Sequence, residues 1–394
     1  MQFILSKSNI RIVGILLYIS VSFFIILEVL IDYLLMPVPG SQELNSLSFT
    51  YFLFQRKLLF EIILLIPIFF SAVILLKNKQ KWIPLSSILI AAFIYLFTNF
   101  IFTAEHRFQQ PKNLFFESAK ENEVDQNKMA ILVEKNGEAK AYTVEFVEYH
   151  HQIRDSVGGQ AILATYCPAC QTGRFYLPYI KGVYTKFRLV GMNNRNAMLE
   201  DETTHSWWSQ ETGICIAGKL LGESLTLINT RRFTINKCIE LYPDVQIMQA
   251  DPAFKDVYFS NEYYAKNTSS SDNLVRIKDW TPRTFILGVR SEHLAKAYDW
   301  DYLLRKRIIN DSIGTKKILL VVSNDNRSAA AFENHSSQLA KISQDTIFIE
   351  NVPYDFTGLN LKSRKKELTH INVYREYWFS WKYANPNTSQ HDCF

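Results

Sequence analysis

The sequence predicts an α-helical membrane region of three spans followed by a mainly β (α+β) duplicated extracytoplasmic domain. Three observations carry that expectation. Three long apolar runs lie within the first 103 of 394 residues. The remainder alternates short apolar runs with turn residues, the pattern of many short strands. Finally, Ala141-Tyr142 and Asp155-Ser156 recur at one constant offset as Ala297-Tyr298 and Asp311-Ser312, and a spacing held without gaps points to duplication.

The first run extends from Ile10 to Leu35, with Arg11 near its start and Glu28 and Asp32 near its end. The second covers 58–76 with Glu61 and Pro67 inside it, and the third covers 82–103 without a charged residue. Each is long enough to cross a bilayer at about 20 helical residues. A signal peptide would be one shorter apolar segment ahead of a cleavage site, so three runs imply permanent anchoring in residues 1–103. Lys7 and Arg11 precede the first run, and Lys77, Lys79 and Lys81 separate the second from the third. Cations of that kind stay on the cytoplasmic side, which puts the N-terminus there and everything beyond residue 104 on the periplasmic or outer side. Glu28, Asp32 and Glu61 are then expected at headgroup level.

Residues 104–128 are polar and read as a stalk. The first repeat, with the cysteine motif, occupies 129–253, a loop 254–280 containing Asn267-Thr-Ser-Ser-Ser-Asp272 follows, and a second repeat lacking the cysteines fills 281–394. Each copy should open with a strand and a turn, run through a helix (Thr143–Ile153 and Trp300–Ile308), and return in a strand. In the first copy that strand is Ala161–Thr165, with further strands near Arg174–Leu177, Tyr184–Val190 and Ile214–Ala217. Phe233–Tyr242 before Pro243 and Tyr377–Tyr383 before Asn385-Pro386 close the two copies in parallel ways. Net charge is +5 with no long basic run, which speaks against nucleic acid as a partner.

Five cysteines comprise one close pair, Cys167 and Cys170, and three singles, Cys215, Cys238 and Cys393. Two intervening residues let both sulfurs meet in one turn, which suits a reversible disulfide, a static bridge or two ligands of one metal. Pro168 fixes its own φ and biases the turn. A nearby cation would favour the thiolate, and Arg174 or the His150-His151 pair could supply it. Thiol redox needs no cofactor, whereas a transition metal would need two more ligands, with Cys215, His205 or His150 as candidates. His205-Ser-Trp-Trp-Ser-Gln210 alternates rings with hydrogen-bonding groups, so His205, Trp207, Trp208 and Gln210 are expected to shape the pocket around the sulfurs; for Trp208 alone core packing is the plainer role. Asp155 and Asp311 occur in both copies, including the one without cysteines, and therefore read as structural turn residues. Ser323-Asn-Asp-Asn326 stands where the cysteine motif would fall in the second copy.

The arrangement resembles a prokaryotic family catalogued as a domain of unknown function, number 3179. The residues that carry it are Asp155-Ser-Val-Gly-Gly159, Thr165-Tyr-Cys-Pro-Ala-Cys170, and Ser206-Trp-Trp-Ser-Gln210 followed by Thr212-Gly213. Asn310-Asp-Ser-Ile-Gly314 adds to them in the second copy. The resemblance covers roughly 129–390. It implies an exported or membrane-attached protein and, through members with selenocysteine at the motif, redox use of that position. Ala169, where Leu is usual, and Gln171 depart from the pattern without touching a sulfur. The expectation is a lipid-embedded thiol–disulfide oxidoreductase using Cys167 and Cys170 with a redox partner protein. The rival expectation is a non-catalytic module in which the two cysteines hold a metal or a structural bridge.

Overall fold

A computed structural model describes residues 6–78, 81–260, 280–291, 293–336 and 338–391. Lys79, the segment Asn267–Asp272 and Cys393 lie outside the described residues. The chain divides into two compact units.

One unit comprises residues 1–109, 187–208 and 215–222. Its three long helices, Lys7–Leu35, Lys57–Lys77 and Trp82–Ile101, are long and apolar enough to cross a membrane. They coincide with the three predicted runs to within a few residues. A shorter helix, Leu47–Gln55, which the sequence did not suggest, stands between the first two. Large apolar side chains such as Phe23, Leu58, Phe69 and Phe93 are exposed, as a lipid-facing surface requires. Glu28, in the last third of the first helix, is held by side chains of the other two. It is fully buried and pairs with Lys57 at 2.8 Å, while Thr98 Oγ1 and Asn99 Nδ2 donate to it at 2.9 and 2.8 Å. A carboxylate removed from water needs such partners.

The same unit contains a four-stranded antiparallel sheet, in the order Cys215–Ala217, Trp207–Ser209, Asn196–Asp201, Phe187–Asn193. Its apolar side joins Val190, Met198, Trp207 and Ala217 to Ile31, Leu35 and Leu53 of the helices. Gly191 is required at that junction, because a Cβ there would come within 2.5 Å of the Leu35 carbonyl oxygen.

The other unit, residues 110–186, 209–214 and 223–394, is mainly β with several small sheets. A five-stranded sheet runs Phe116–Glu117, Gln246–Met248, Glu138–Thr143, Met129–Lys135, Arg231–Thr234. A four-stranded sheet runs Ser389–Gln390, Leu294–Asp299, Phe285–Ser291, Val373–Tyr377. The last four strands of the first sheet correspond in order and in direction of pairing to the four of the second. Each sheet leads into a seven-residue helix, Val144–His150 or Trp300–Lys306. Both helices end on a left-handed residue, His151 or Arg307, which turns the chain into the next strand. The antiparallel strands Gln152–Val157, Gln160–Cys167 and Thr172–Tyr176 follow the first helix. Ile308–Ile313, Lys316–Val322 and Ala329–Glu333 follow the second. The two runs do not have separate cores. Leu132, Phe233 and Ile247 share one cluster with Leu319, Val321 and Phe332.

Two boundary expectations and one residue role are corrected. Residues read as a stalk fold onto the domain from about 112 onward. Asp251 Oδ2 accepts the backbone N–H groups of Lys112 and Asn113 at 2.7 and 2.8 Å, and Phe116 and Val124 pack on the core. Polar composition hid a strand of only two residues. The expected inter-repeat loop begins as helix instead, with turns over Pro252–Phe254 and Lys255–Ser260 that bury Phe254 and Tyr258. Asp155 and Asp311 are structural but not turn residues, because both lie inside strands. Each accepts a tyrosine hydroxyl, Tyr142 at 2.6 Å and Tyr298 at 2.9 Å. Each also pairs with a lysine, Lys140 at 3.0 Å and Lys296 at 2.6 Å. The recurrence seen in the sequence is this Lys–Tyr–Asp group linking adjacent sheets.

Candidate functional site

The hairpin Gln160–Cys167/Thr172–Tyr176 carries the cysteine motif across its end, with Cys167 directly opposite Thr172. Pro168 begins the reversal and Gln171, at φ 59°, completes it. Gln171 closes the turn twice on the Pro168 carbonyl, through its N–H at 3.3 Å and its side-chain amide at 3.1 Å. Both cysteines are fully buried thiols.

Gln210 braces the hairpin. Its amide nitrogen donates to Thr165 Oγ1 at 2.9 Å, its carbonyl oxygen accepts from Thr172 Oγ1 at 2.9 Å, and its backbone carbonyl accepts the Tyr176 hydroxyl at 2.9 Å. A residue 38 to 45 positions away along the chain therefore ties the strands on either side of the turn.

The C-terminal strand Val373–Tyr377 and the helix after it supply the opposite wall. The Tyr377 N–H donates to the Cys170 carbonyl at 3.1 Å. It leads into the helix Trp378–Ala384, whose Ser380 hydroxyl donates to Glu211 Oε2 at 2.9 Å. The Cys170 thiol is hydrogen-bonded to Cys167 and to Ser380. Burial above all, with the neighbouring Cys167 and Glu211, pushes that thiol well above its ordinary pKa.

Beside the thiols lies a buried charge cluster. Arg174 pairs with Glu376 at 2.7 Å and approaches Glu211 at 3.8 Å, and Arg290 approaches Glu211 at 3.9 Å. The Arg174 guanidinium stacks on Tyr374, 3.9 Å from the ring centroid. Burial alone would lower the Arg174 pKa, but the Glu376 and Glu211 carboxylates more than reverse that and raise it. Burial and then repulsion by Glu376 raise the Glu211 pKa well above its ordinary value. Its Oε1 has no hydrogen-bond partner.

The expected site residues divide between the two units. Cys167, Cys170, Arg174 and Gln210 come together in the β unit. His205, Trp207 and Trp208 belong to the unit with the apolar helices. Trp207 is packed edge-on by Tyr51 and Phe54, and its indole N–H donates to Glu200 at 3.2 Å. Trp208 donates to Asp201 at 3.0 Å. Both serve as core, and His205 is exposed at a left-handed turn position.

Of the cations expected to activate the thiols, Arg174 is engaged by carboxylates. His151 is drawn down to about 4, by burial first, and is neutral at pH 7. His150 Nε2 lies 2.6 Å from the Tyr258 hydroxyl. Nor, among the described residues, do three or more His, Cys, Asp or Glu gather as a metal ion would require. Glu211, Glu376, Ser380 and Arg290 went unsuspected. Ser380 lies 169 residues from its partner Glu211 and Glu376 lies 202 from its partner Arg174, and the one available hint was a glutamate directly following Gln210.

Fold and site together define a class: a protein with three membrane-length apolar helices and a mainly β domain that encloses a dithiol turn beside a buried Arg–Glu cluster. The family model described as "Protein of unknown function (DUF3179)" matches residues 111–388, and the chain belongs to that family. No curated protein and no solved structure matches it.

Proposed function

We propose that this is a membrane-anchored protein whose β domain faces the extracytoplasmic side and uses Cys167 and Cys170 as a reversible dithiol. The observation that carries the reading is the pair itself. Two thiols are hydrogen-bonded to each other in one turn, and that turn is braced by Gln210. Oxidation removes two electrons and two protons and forms one S–S bond; an external protein disulfide would take both and leave as two thiols. Because both sulfurs are buried, exchange requires the 168–171 turn to open. The sidedness rests on Lys7, Arg11, Lys77, Lys79 and Lys81. The like order of elements in the two runs supports duplication, with the cysteines in one copy only.

The test is intact mass of the detergent-solubilised full chain, with and without reductant. A reversible shift of about 2 Da, lost in Cys167→Ser, supports cycling. The second reading is a binding module with inert thiols, favoured by the burial that keeps Cys170 protonated. A mass that stays at the dithiol value under oxidised glutathione would select it.

A further inference from the structure

The helix Leu47–Gln55, between the first two membrane-length helices, has two unlike faces. At 3.6 residues per turn, Thr50, Tyr51, Leu53 and Phe54 share one side. Thr50 and Leu53 are buried there, and the rings of Tyr51 and Phe54 pack on Trp207. Phe49, Phe52 and Arg56, spaced by three and four residues, share the other. Phe49 is 53% and Phe52 43% exposed, and Arg56 is exposed beside them.

Arg56 caps this helix and opens the next. Its guanidinium lies over the Phe52 ring, 4.5 Å from the centroid. Among the described residues no carboxylate pairs with it, whereas the adjacent Lys57 is taken up by Glu28 at 2.8 Å. The exposed face does not stop at the end of the helix. Phe52 meets Phe60 of the helix Lys57–Lys77, their centroids 6.1 Å apart. Leu58, Leu59, Ile62 and Ile63 continue as exposed apolar residues on that helix, which is long and apolar enough to cross a membrane. Exposed rings edged by an unpaired arginine are the composition of a helix lying in the interfacial layer of a bilayer. Rings there enter the acyl boundary, and a guanidinium reaches back to phosphate.

We propose that the helix Leu47–Gln55 is seated in the membrane interface, with Phe49 and Phe52 at the acyl boundary and Arg56 on a phospholipid phosphate. Lipid is the occupant because this face continues into the apolar surface of the membrane-length helix. The inference rests on that helix crossing a bilayer and is independent of the thiols.

The test is a nitroxide label at Phe52→Cys in the full chain, reconstituted into phosphatidylcholine–phosphatidylglycerol vesicles. Phe69→Cys, inside the helix Lys57–Lys77 and exposed, is the reference. The native cysteines at 167, 170, 215 and 238 are buried, and the signal of wild-type chain treated alike is subtracted. Collisions with oxygen, which concentrates in the bilayer, should exceed those with a water-soluble nickel chelate at both sites. Phe52→Cys leaves Tyr51 and Phe54 on Trp207, so the fold should survive. Nickel dominance at Phe52 with oxygen dominance at Phe69 would overturn the interfacial helix and leave the anchoring intact. Nickel dominance at both would overturn the anchoring as well. Dipolar broadening between Phe52 labels that vanishes on dilution with unlabelled chain would mean that a second copy covers the face, which also overturns the proposal. In native mass spectrometry, Arg56→Gln should retain bound phosphatidylglycerol about fivefold less than wild type, the scale of one basic residue at an anionic surface. Unchanged retention would overturn the phosphate contact.

Discussion

Replacing Arg174 by Met would leave Glu376 buried without its 2.7 Å partner. Loss of one member of such a pair costs about 3–5 kcal/mol, because an uncompensated charge remains. Urea denaturation of the full chain should show that loss for Arg174→Met and recovery of much of it in Arg174→Met with Glu376→Leu. Equal destabilisation in the two would mean that Arg174 acts through packing on Tyr374 instead. At this scale the sequence was informative where the chemistry is local. Cys167 and Cys170 were evident from their spacing, and Gln210 from its place in a polar–aromatic run. Glu376 and Ser380 carried no such mark, since a glutamate at the end of a strand looks solvated until tertiary contacts bury it.

At the scale of elements, the strand Trp207–Ser209 shows why a correct motif was given the wrong surroundings. Its alternation of ring and hydroxyl suggested a pocket around sulfur. The indole of Trp207 instead meets the helix Leu47–Gln55 through Tyr51 and Phe54. Truncation of a buried tryptophan costs about 3–5 kcal/mol, so Trp207→Ala should lower the melting temperature of the full chain in detergent. A melt unchanged from wild type would refute the packing role. The three long helices were readable because about 20 consecutive apolar residues leave few alternatives. The helix Leu47–Gln55 was not, being nine residues long and without a distinctive cap. Strands such as Gln160–Cys167 were placed to within two residues by their apolar runs. The two-residue strand Phe116–Glu117 is too short for any periodicity to register.

Over the whole molecule, the chain passes between its two units after residues 109, 186, 208, 214 and 222. Sequence order suggested instead an anchor followed by a separable domain. Linear spacing cannot reveal that residues 187–208 and 215–222 pack with helices made much earlier. A fragment of residues 104–394 retains these segments but loses Ile31, Leu35, Leu53 and Tyr51, which cover Val190, Trp207 and Ala217. That fragment should aggregate or melt below the full chain, as size-exclusion chromatography and a thermal melt would reveal. A monodisperse fragment with the stability of the parent would contradict it.

The five passages also bear on how other chains of the family can be assembled. The family match, residues 111–388, takes in both segments that lean on the apolar helices, so its limits are not those of a self-contained cassette. Grafted behind a different anchor, the matched stretch would arrive with the Trp207 face bare. A relative carrying that strand without such helices ahead of it must cover the face some other way, with a neighbouring subunit or a separate membrane protein.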